Sequence, residues 1–484
     1  MNKSIRTLYI ALASAFALLV VMLGYWQVVA AGGLDERADN PYTLEKQRLV
    51  DRGRIISADK IVLAESVAYR EKGKKYYRRY YPQGALASQV VGYATAEKGT
   101  TGLEQQYNRY LAGSYGTGAI LDRLREETKD GADIRLTLDT RVQKTAEALL
   151  SGRKGAVVAI QPKTGKVLAV ASSPSFDLNQ VTSDFASIRK EADAPLLNRA
   201  TAGLYPPGST FKVVTATAAL ASGKWSASST FDDKGVYVVD GKPIYNSGKS
   251  KFGLHNLTDA LTFSINTTFA QIGDTLGGRR LGREMNLFGF GRPTEIDLPS
   301  GEVATSGRYR EGKLLPNDQR DEDASRIAIG QENLQVTPLQ MAMVAGAIAN
   351  GGRMMRPYLV RRVITPDGVV VKQQRPEEVD SVSSAYIASE VGRMMQSVVS
   401  EGTGTKAGLA GLSIAGKTGT AETGDPERNQ AWFIGYAPAN DPEVAVAVVI
   451  EDTSGTGGTE AAPVAGEVMR TALSVDPVPG EPIS

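Results

Sequence analysis

The sequence predicts an α+β protein in which helices cover one sheet, preceded by a small β-rich segment and a single membrane-crossing helix. Three observations carry that reading. Two valine-rich runs joined by a polar turn, GAVVAIQPKTGKVLAVASS (155–173), have the pattern of a β-hairpin. Two more strand-like runs, AWFIGYAP (431–438) and VAVAVVIED (444–452), lie near the other end with alanine-rich helical stretches between, so the first and last segments close one sheet. The run from Leu8 to Ala31 carries no charge.

Taken in order, Lys3 and Arg6 precede LYIALASAFALLVVMLGYWQVVAA (8–31). At about 1.5 Å per residue, a helix of that length crosses a hydrocarbon core of roughly 30 Å. It also exceeds the apolar core of a secretory signal, about 7–15 residues, which favours an uncleaved anchor. The two cations before it and the acidic DERAD (35–39) after it put residues 1–7 in the cytoplasm and the remainder outside. Residues 32–152 are polar and broken by Gly and Pro. DRGRIISADKIVLAESVAYRE (51–71) reads as short strands and hairpins, and the basic, aromatic REKGKKYYRRYYPQG (70–84) as a solvated strand pair with its tyrosines on one face. LEQQYNRYLAG (103–113) is helical, and IRLTLDTRVQKTAEALL (134–150) runs from strand to helix.

A second domain is expected over 153–474. It contains the hairpin, helices over Ser209–Ser222, Leu257–Leu276, Pro338–Asn350 and Ala385–Val399, a polar surface loop over Arg308–Asp323, the two late strands and a closing helix at 462–473. Residues 475–484, rich in Pro and Gly, read as a disordered tail.

Composition narrows the chemistry. The 484 residues hold 55 Lys and Arg against 53 Asp and Glu, a formal charge of +2, so no nucleic-acid partner is expected. There is no cysteine, which excludes disulfides, thiol nucleophiles and thiolate metal sites. The single histidine, His255, cannot build a zinc cluster and reads as a packed or surface residue rather than a triad base. Neither metal nor cofactor is expected.

Ser209 and Lys212 in YPPGSTFKVVTA (205–216) follow a Pro-Pro-Gly turn and open an apolar helix. Ser57/Lys60, Ser151/Lys154 and Ser187/Lys190 share the spacing but sit in polar surroundings. Ser264-Ile265-Asn266 is the one S-x-N. Lys417-Thr418-Gly419-Thr420 is preceded by an apolar lead-in, whereas the other K-T-G, Lys163-Thr164-Gly165, occupies the hairpin tip where turn residues are expected. Three motifs in this order form the signature of penicillin-binding proteins and class A β-lactamases.

The residue types suit acyl transfer. A serine hydroxyl needs a base, and Lys212, three positions on, shares its helix face. Lys212 serves only when neutral, which burial and the neighbouring charge of Lys417 would favour. Ser264 can pass a proton to the leaving amine and Asn266 can orient the substrate amide and Lys212. Lys417, Thr418 and Thr420 offer a cation and hydroxyls to a substrate carboxylate. Gly419 clears space for an extended backbone, and the N–H groups of Ser209 and Thr420 are the candidates for an oxyanion hole.

With these residues in view, the chain resembles a class B penicillin-binding protein of the short penicillin-binding protein A type. RGRI (52–55), TGLEQQYNRYLAG (101–113), SINTTFAQIG (264–273), AGKTGTAE (415–422) and SGTGGTEAAPVAGEV (454–468) carry the likeness along most of its length. The resemblance implies a penicillin-binding/serine β-lactamase-like transpeptidase domain, an antiparallel sheet covered by helices, on a β-rich N-terminal pedestal. It implies a D,D-transpeptidase that attacks the D-Ala-D-Ala end of a peptidoglycan stem peptide through Ser209, is acylated by β-lactams, and meets a polytopic SEDS-family glycan polymerase through the pedestal. No glycosyltransferase motif precedes Gly155. A D,D-carboxypeptidase would use the same residues. A class A β-lactamase would need an E-x-x-L-N glutamate, where Glu332-Asn333-Leu334 has the wrong order. A non-catalytic scaffold or polymerase activator is the reading from a different class.

Overall fold

The computed structural model describes residues 3–25, 48–115, 130–317, 323–421 and 428–475. Helix α1 (Lys3–Gly24) begins earlier than the expected span, taking in Lys3 and Arg6, and its stretch Ile5–Leu23 is long and apolar enough to cross a membrane. None of that stretch is buried against the protein, as a single-pass anchor requires. The remainder of the expected span beyond Tyr25, the acidic segment 35–39 and the tail from 476 lie outside the described residues.

The N-terminal sheet has six strands. Strands β1 (Ile55–Ile56), β2 (Val62–Glu71), β3 (Lys74–Tyr80) and β4 (Asp133–Leu136) supply four, with β4 parallel to β1. The basic run forms the β2–β3 hairpin, in which Tyr69 faces Tyr76 with ring centroids 5.8 Å apart. The outer two strands are a hairpin from far along the chain, Val360–Ile364 and Val370–Gln373, paired to β4. Sequence reading alone does not attach that hairpin to the N-terminal segment, because its ladder closes across more than two hundred residues. Below the sheet, Glu104 is fully buried between Arg52 (2.7 Å) and Arg79. Burial alone would raise its carboxyl, but the two guanidiniums hold it below the usual range.

The second sheet is antiparallel throughout. Strands β5 (Gly155–Ile160), β6 (Val167–Ser173), β7 (Ala415–Ala421), β8 (Asn429–Ala437) and β9 (Val444–Thr453) stand in the order β7-β8-β9-β5-β6, so the first hairpin closes on the last strand, as the sequence predicts. Helices cover both faces. Helix α2 (Thr140–Leu150) places Val142, Ala146 and Leu150 with Val157, Phe433 and Val448 on one face. The other face, with Val158, Trp432, Ile434 and Val449, belongs to the larger core, which also takes in the buried residues of α3 (Lys212–Ala221) and of the helices that follow it. A sheet buried on both sides explains why these strands read as continuous apolar runs instead of alternating.

The expected helix over Leu257–Leu276 is two helices, α4 (Leu257–Thr262) and α5 (Asn266–Leu276), a break that matters for the site. Helix α6 (Pro338–Ala349) is apolar all round and buried accordingly, with Thr337 capping the Gln340 N–H and Pro338 in its first turn. Helices α7 (Ala385–Ser400) and α8 (Ala462–Ser474) match their expected segments, and α8 packs with α2 over the sheet. The stretch from Arg308 is a hairpin, Gly307–Arg310 and Lys313–Leu315, whose tip from Arg310 to Leu314 is exposed as expected of a surface segment; the departure is Arg308, fully buried with Nη2 on the Pro316 carbonyl at 2.7 Å, and residues 318–322 lie outside the described residues.

Candidate active site

Ser209 lies in a tight 3-10 turn, Gly208–Phe211, that feeds directly into α3 at Lys212. Proline at 206 and 207 stiffens the approach. Gly208 adopts φ 51° with the Thr420 carbonyl oxygen 3.0 Å from where a Cβ would stand, so only glycine lets the turn lie this close to β7. Ser209 is half-buried; Lys212, one helical turn on, is completely buried.

Lys212 Nζ lies 2.7 Å from the Ser264 carbonyl, 2.7 Å from Asn266 Oδ1 and 3.1 Å from Ser264 Oγ. The first two partners can only accept. Lys212 donates to all three here; loss of one proton leaves two N–H bonds for the carbonyl and the amide oxygen and a lone pair toward the Ser264 hydroxyl, which can donate as well as accept. Burial, and then the charge of Lys417, hold the Lys212 amine well below its ordinary pKa. These bonds suit either protonation state; burial and the Lys417 charge are what favour the uncharged form that a base requires. Asn266 is fixed in turn, its Nδ2 donating to the Tyr245 carbonyl at 2.9 Å.

Ser264 owes its position to the break between α4 and α5. It sits in the left-handed region, φ 59°, with its N–H on the Leu261 carbonyl and the Ile265 N–H on the Ala260 carbonyl. This is the Schellman ending of a helix, with serine where glycine is usual. A left-handed serine costs about 1–2 kcal/mol; what it secures is a hydroxyl and a carbonyl both aimed at Lys212. The apolar pattern runs through this break without a glycine, which is why the sequence reads as one helix.

Lys417 is also fully buried, on edge strand β7, with Nζ 3.0 Å from the Thr418 carbonyl, and burial lowers its pKa to about 7. Thr418 Oγ1 meets Thr403 Oγ1 at 2.6 Å, and Thr420 Oγ1 accepts from the Gly457 N–H at 3.2 Å. A Cβ on Gly419 would point at the Pro207 carbonyl and Thr210, so this glycine's missing side chain makes room for the Ser209 turn. All eight candidate residues are thus drawn from three chain segments into one locus. Sequence reading missed Thr403, Tyr245 and Gly457. Gly457, inside the SGTGG run, carries the only visible signal of the three. His255 is packed, with Nδ1 2.8 Å from the Gly253 carbonyl and Nε2 2.8 Å from Thr268 Oγ1. Lys163 at the other K-T-G is an exposed turn residue paired with Asp441. Among the described residues no cluster of His, Cys, Asp or Glu could hold a metal ion.

An antiparallel sheet whose edge strand carries K-T-G beside a Ser-x-x-Lys turn is the architecture of the penicillin-binding and serine β-lactamase class. Residues 155–470 match the penicillin binding protein transpeptidase domain, and residues 52–134 match the penicillin binding protein A dimerisation domain. The chain belongs to the penicillin-binding protein transpeptidase family. It is 34% identical to the peptidoglycan D,D-transpeptidase PbpA of Mycolicibacterium smegmatis, over 98% of this chain and 99% of that one. It is also 34% identical to the stage V sporulation protein D of Bacillus subtilis, over 82% of this chain and 64% of that one. Among solved structures, penicillin-binding protein A from M. tuberculosis as a ceftriaxone acyl-enzyme complex superposes with a TM-score of 0.79 at 30% identity, covering 89% of this chain and 100% of that one. A D,D-transpeptidase domain from Eggerthella lenta gives 0.77 at 35% identity, covering 88% and 98%.

Proposed function

We propose that this chain is a monofunctional peptidoglycan D,D-transpeptidase that works through a Ser209 acyl-enzyme. The observation that carries the reading is the completely buried Lys212, held by Ser264 and Asn266 one turn after Ser209, where burial and the Lys417 charge favour a neutral base. Lys212 takes the Ser209 proton as Oγ attacks the carbonyl of the penultimate D-Ala. The oxyanion lies toward the N–H groups of Ser209 and Thr420, whose backbones are brought together by Gly208. As the peptide C–N bond breaks, the proton passes through Ser264 to the departing D-Ala amine. An acceptor amine on a neighbouring strand then attacks the ester, loses its proton along the same path, and Ser209 is regenerated. Asn266 orients the substrate amide, while Lys417, Thr418 and Thr420 receive the terminal carboxylate beside Gly419. β-Lactams carry the equivalent amide and carboxylate and stop at the acyl stage.

The same reading puts the N-terminus in the cytoplasm, α1 across the membrane and both folded parts outside, with 32–152 as pedestal and 153–474 as transpeptidase domain. The pedestal, next to the anchor, is the surface on which a SEDS-family glycan polymerase would dock. Incubating the protein with benzylpenicillin and recording intact mass tests the chemistry. A stable adduct on wild type and none on Ser209→Ala is expected; an adduct that persists on Ser209→Ala refutes the nucleophile. Supplying a stem peptide with and without an amine acceptor separates cross-linking from hydrolysis, since a carboxypeptidase would yield only the trimmed peptide.

A further inference from the structure

Behind the Ser209 turn lies a second polar network that takes no part in the reaction as proposed. Near the end of β9, Glu451 Oε1 accepts from the Tyr205 hydroxyl at 2.6 Å and from Arg199 Nε at 2.8 Å. Arg199, itself 4% exposed, directs its other two nitrogens to the carbonyls of Ala194 (3.1 Å) and Asp193 (2.6 Å). The Tyr205 ring meets the buried Trp432 edge-on with centroids 6.0 Å apart, and Trp432 Nε1 donates to the Pro206 carbonyl at 3.0 Å. The turn that presents Ser209 is therefore held from two sides. Backbone bonds tie it to the helical layer, Tyr205 to Val336 in both directions and Gly208 N–H to the Gly330 carbonyl. The side chains of Tyr205 and Trp432 tie it to the sheet.

The sheet-side ties matter because Ser209 stands on the turn whereas Lys417 and Thr420 stand on β7. The distance between nucleophile and strand is set across this seam. Glu451 occupies an unusual place in it, since its carboxylate fixes Tyr205 and the residue also lines a cleft of about 540 Å³, beside Lys154, Asp193 and Asp452. A largely buried ion pair is by itself a weak source of stability. This one shares its acceptor oxygen with the residue that opens the nucleophile turn.

We propose that Glu451 and Arg199 are positioning residues for Ser209, acting through the Tyr205 hydroxyl and the Trp432 indole. The proposal rests on Ser209 being the nucleophile. A displacement on the order of 1 Å at a reacting group costs about 10²-fold in rate, so loosening the turn should slow acylation while leaving initial binding nearly unchanged.

The test is rapid-mixing acylation of the full-length protein in detergent by a fluorescent penicillin, resolved into a non-covalent Kd and an acylation rate constant, with thermal melting alongside. Glu451→Ala and Tyr205→Phe should each lower the rate constant about 10- to 100-fold with Kd within about twofold. Glu451→Gln, whose amide oxygen still accepts from Tyr205, should recover most of the rate. Wild-type rate constants in Tyr205→Phe, or a Glu451→Gln variant no faster than Glu451→Ala at similar melting temperature, would overturn the proposal. If Glu451→Ala does not fold, Tyr205→Phe, which removes a single oxygen, decides alone. A wild type that fails to acylate would bring down the serine reading itself, an outcome distinct from wild type and variants acylating alike.

Discussion

Gly419→Ala is the substitution whose effect can be worked most directly from the structure. The added methyl would stand 2.9 Å from the Pro207 carbonyl oxygen, 3.0 Å from Thr210 Cγ2 and 3.2 Å from Thr210 N, where ordinary contact begins near 3.4 Å. Two of those atoms are backbone of the turn that presents Ser209, so no flexible side chain can give way. The turn must retreat from β7 by about half an ångström, at an overpacking cost of about 1–3 kcal/mol. Melting should fall by a few degrees, at about 2–4 °C per kcal/mol for a domain of somewhat smaller size. With 1 Å worth about 10²-fold, half of that displacement predicts roughly tenfold slower acylation. Single-turnover acylation by a fluorescent penicillin measures it. A wild-type rate constant with raised Kd would mean that the glycine clears space for substrate, and would refute the packing argument; so would a variant with both rate and melting unchanged.

Three further outcomes follow from the same geometry. Ser264→Gly and Ser264→Ala both remove the hydroxyl that faces Lys212 and should both acylate slowly, but Gly should be the more stable by about 1 kcal/mol because residue 264 is left-handed; equal melting of the two would contradict this. Lys417, near pKa 7 when folded against an ordinary 10.5, binds its proton less tightly in the folded state. Its burial cost is present in full below about pH 7 and fades as pH rises toward about 10.5, where the unfolded chain also loses the proton. Lys417→Met should therefore gain more stability over wild type at pH 6 than at pH 10, read as the difference in melting temperature; a difference independent of pH would argue against a buried amine. Glu104→Gln strands two guanidiniums, Arg52 and Arg79, and should destabilise the N-terminal part by about 3–5 kcal/mol in urea titrations followed by Tyr fluorescence.

Much of this protein is legible in local sequence. The strands β5, β6, β8 and β9 are short apolar runs between turn residues, α6 opens on Thr-Pro, and the Ser209 turn opens on Pro-Pro-Gly. Such signals survive in sequence because they arise from backbone sterics, capping and burial on one element. The three motifs also pointed to the candidate site whose residues the fold brings together, since acyl transfer needs those side-chain types and few other chemistries would place them in that order.

Tertiary structure alone decided the rest. Nothing local couples Thr403 to Thr418, and the burial and closeness that the chemistry asked of Lys212 and Lys417 exist only in the fold. Nor does any local signal give the N-terminal sheet a hairpin from residues 360–373, or bury Arg308. The break at Ser264 hides in a continuous apolar pattern, because the left-handed residue there is a serine, and Gly419 reads as substrate clearance until Pro207 is seen behind it. Each of these depends on contacts between segments far apart in the chain. Desolvation and close packing come into being only when those segments meet, and they set the charge of Lys212 and the position of Ser209.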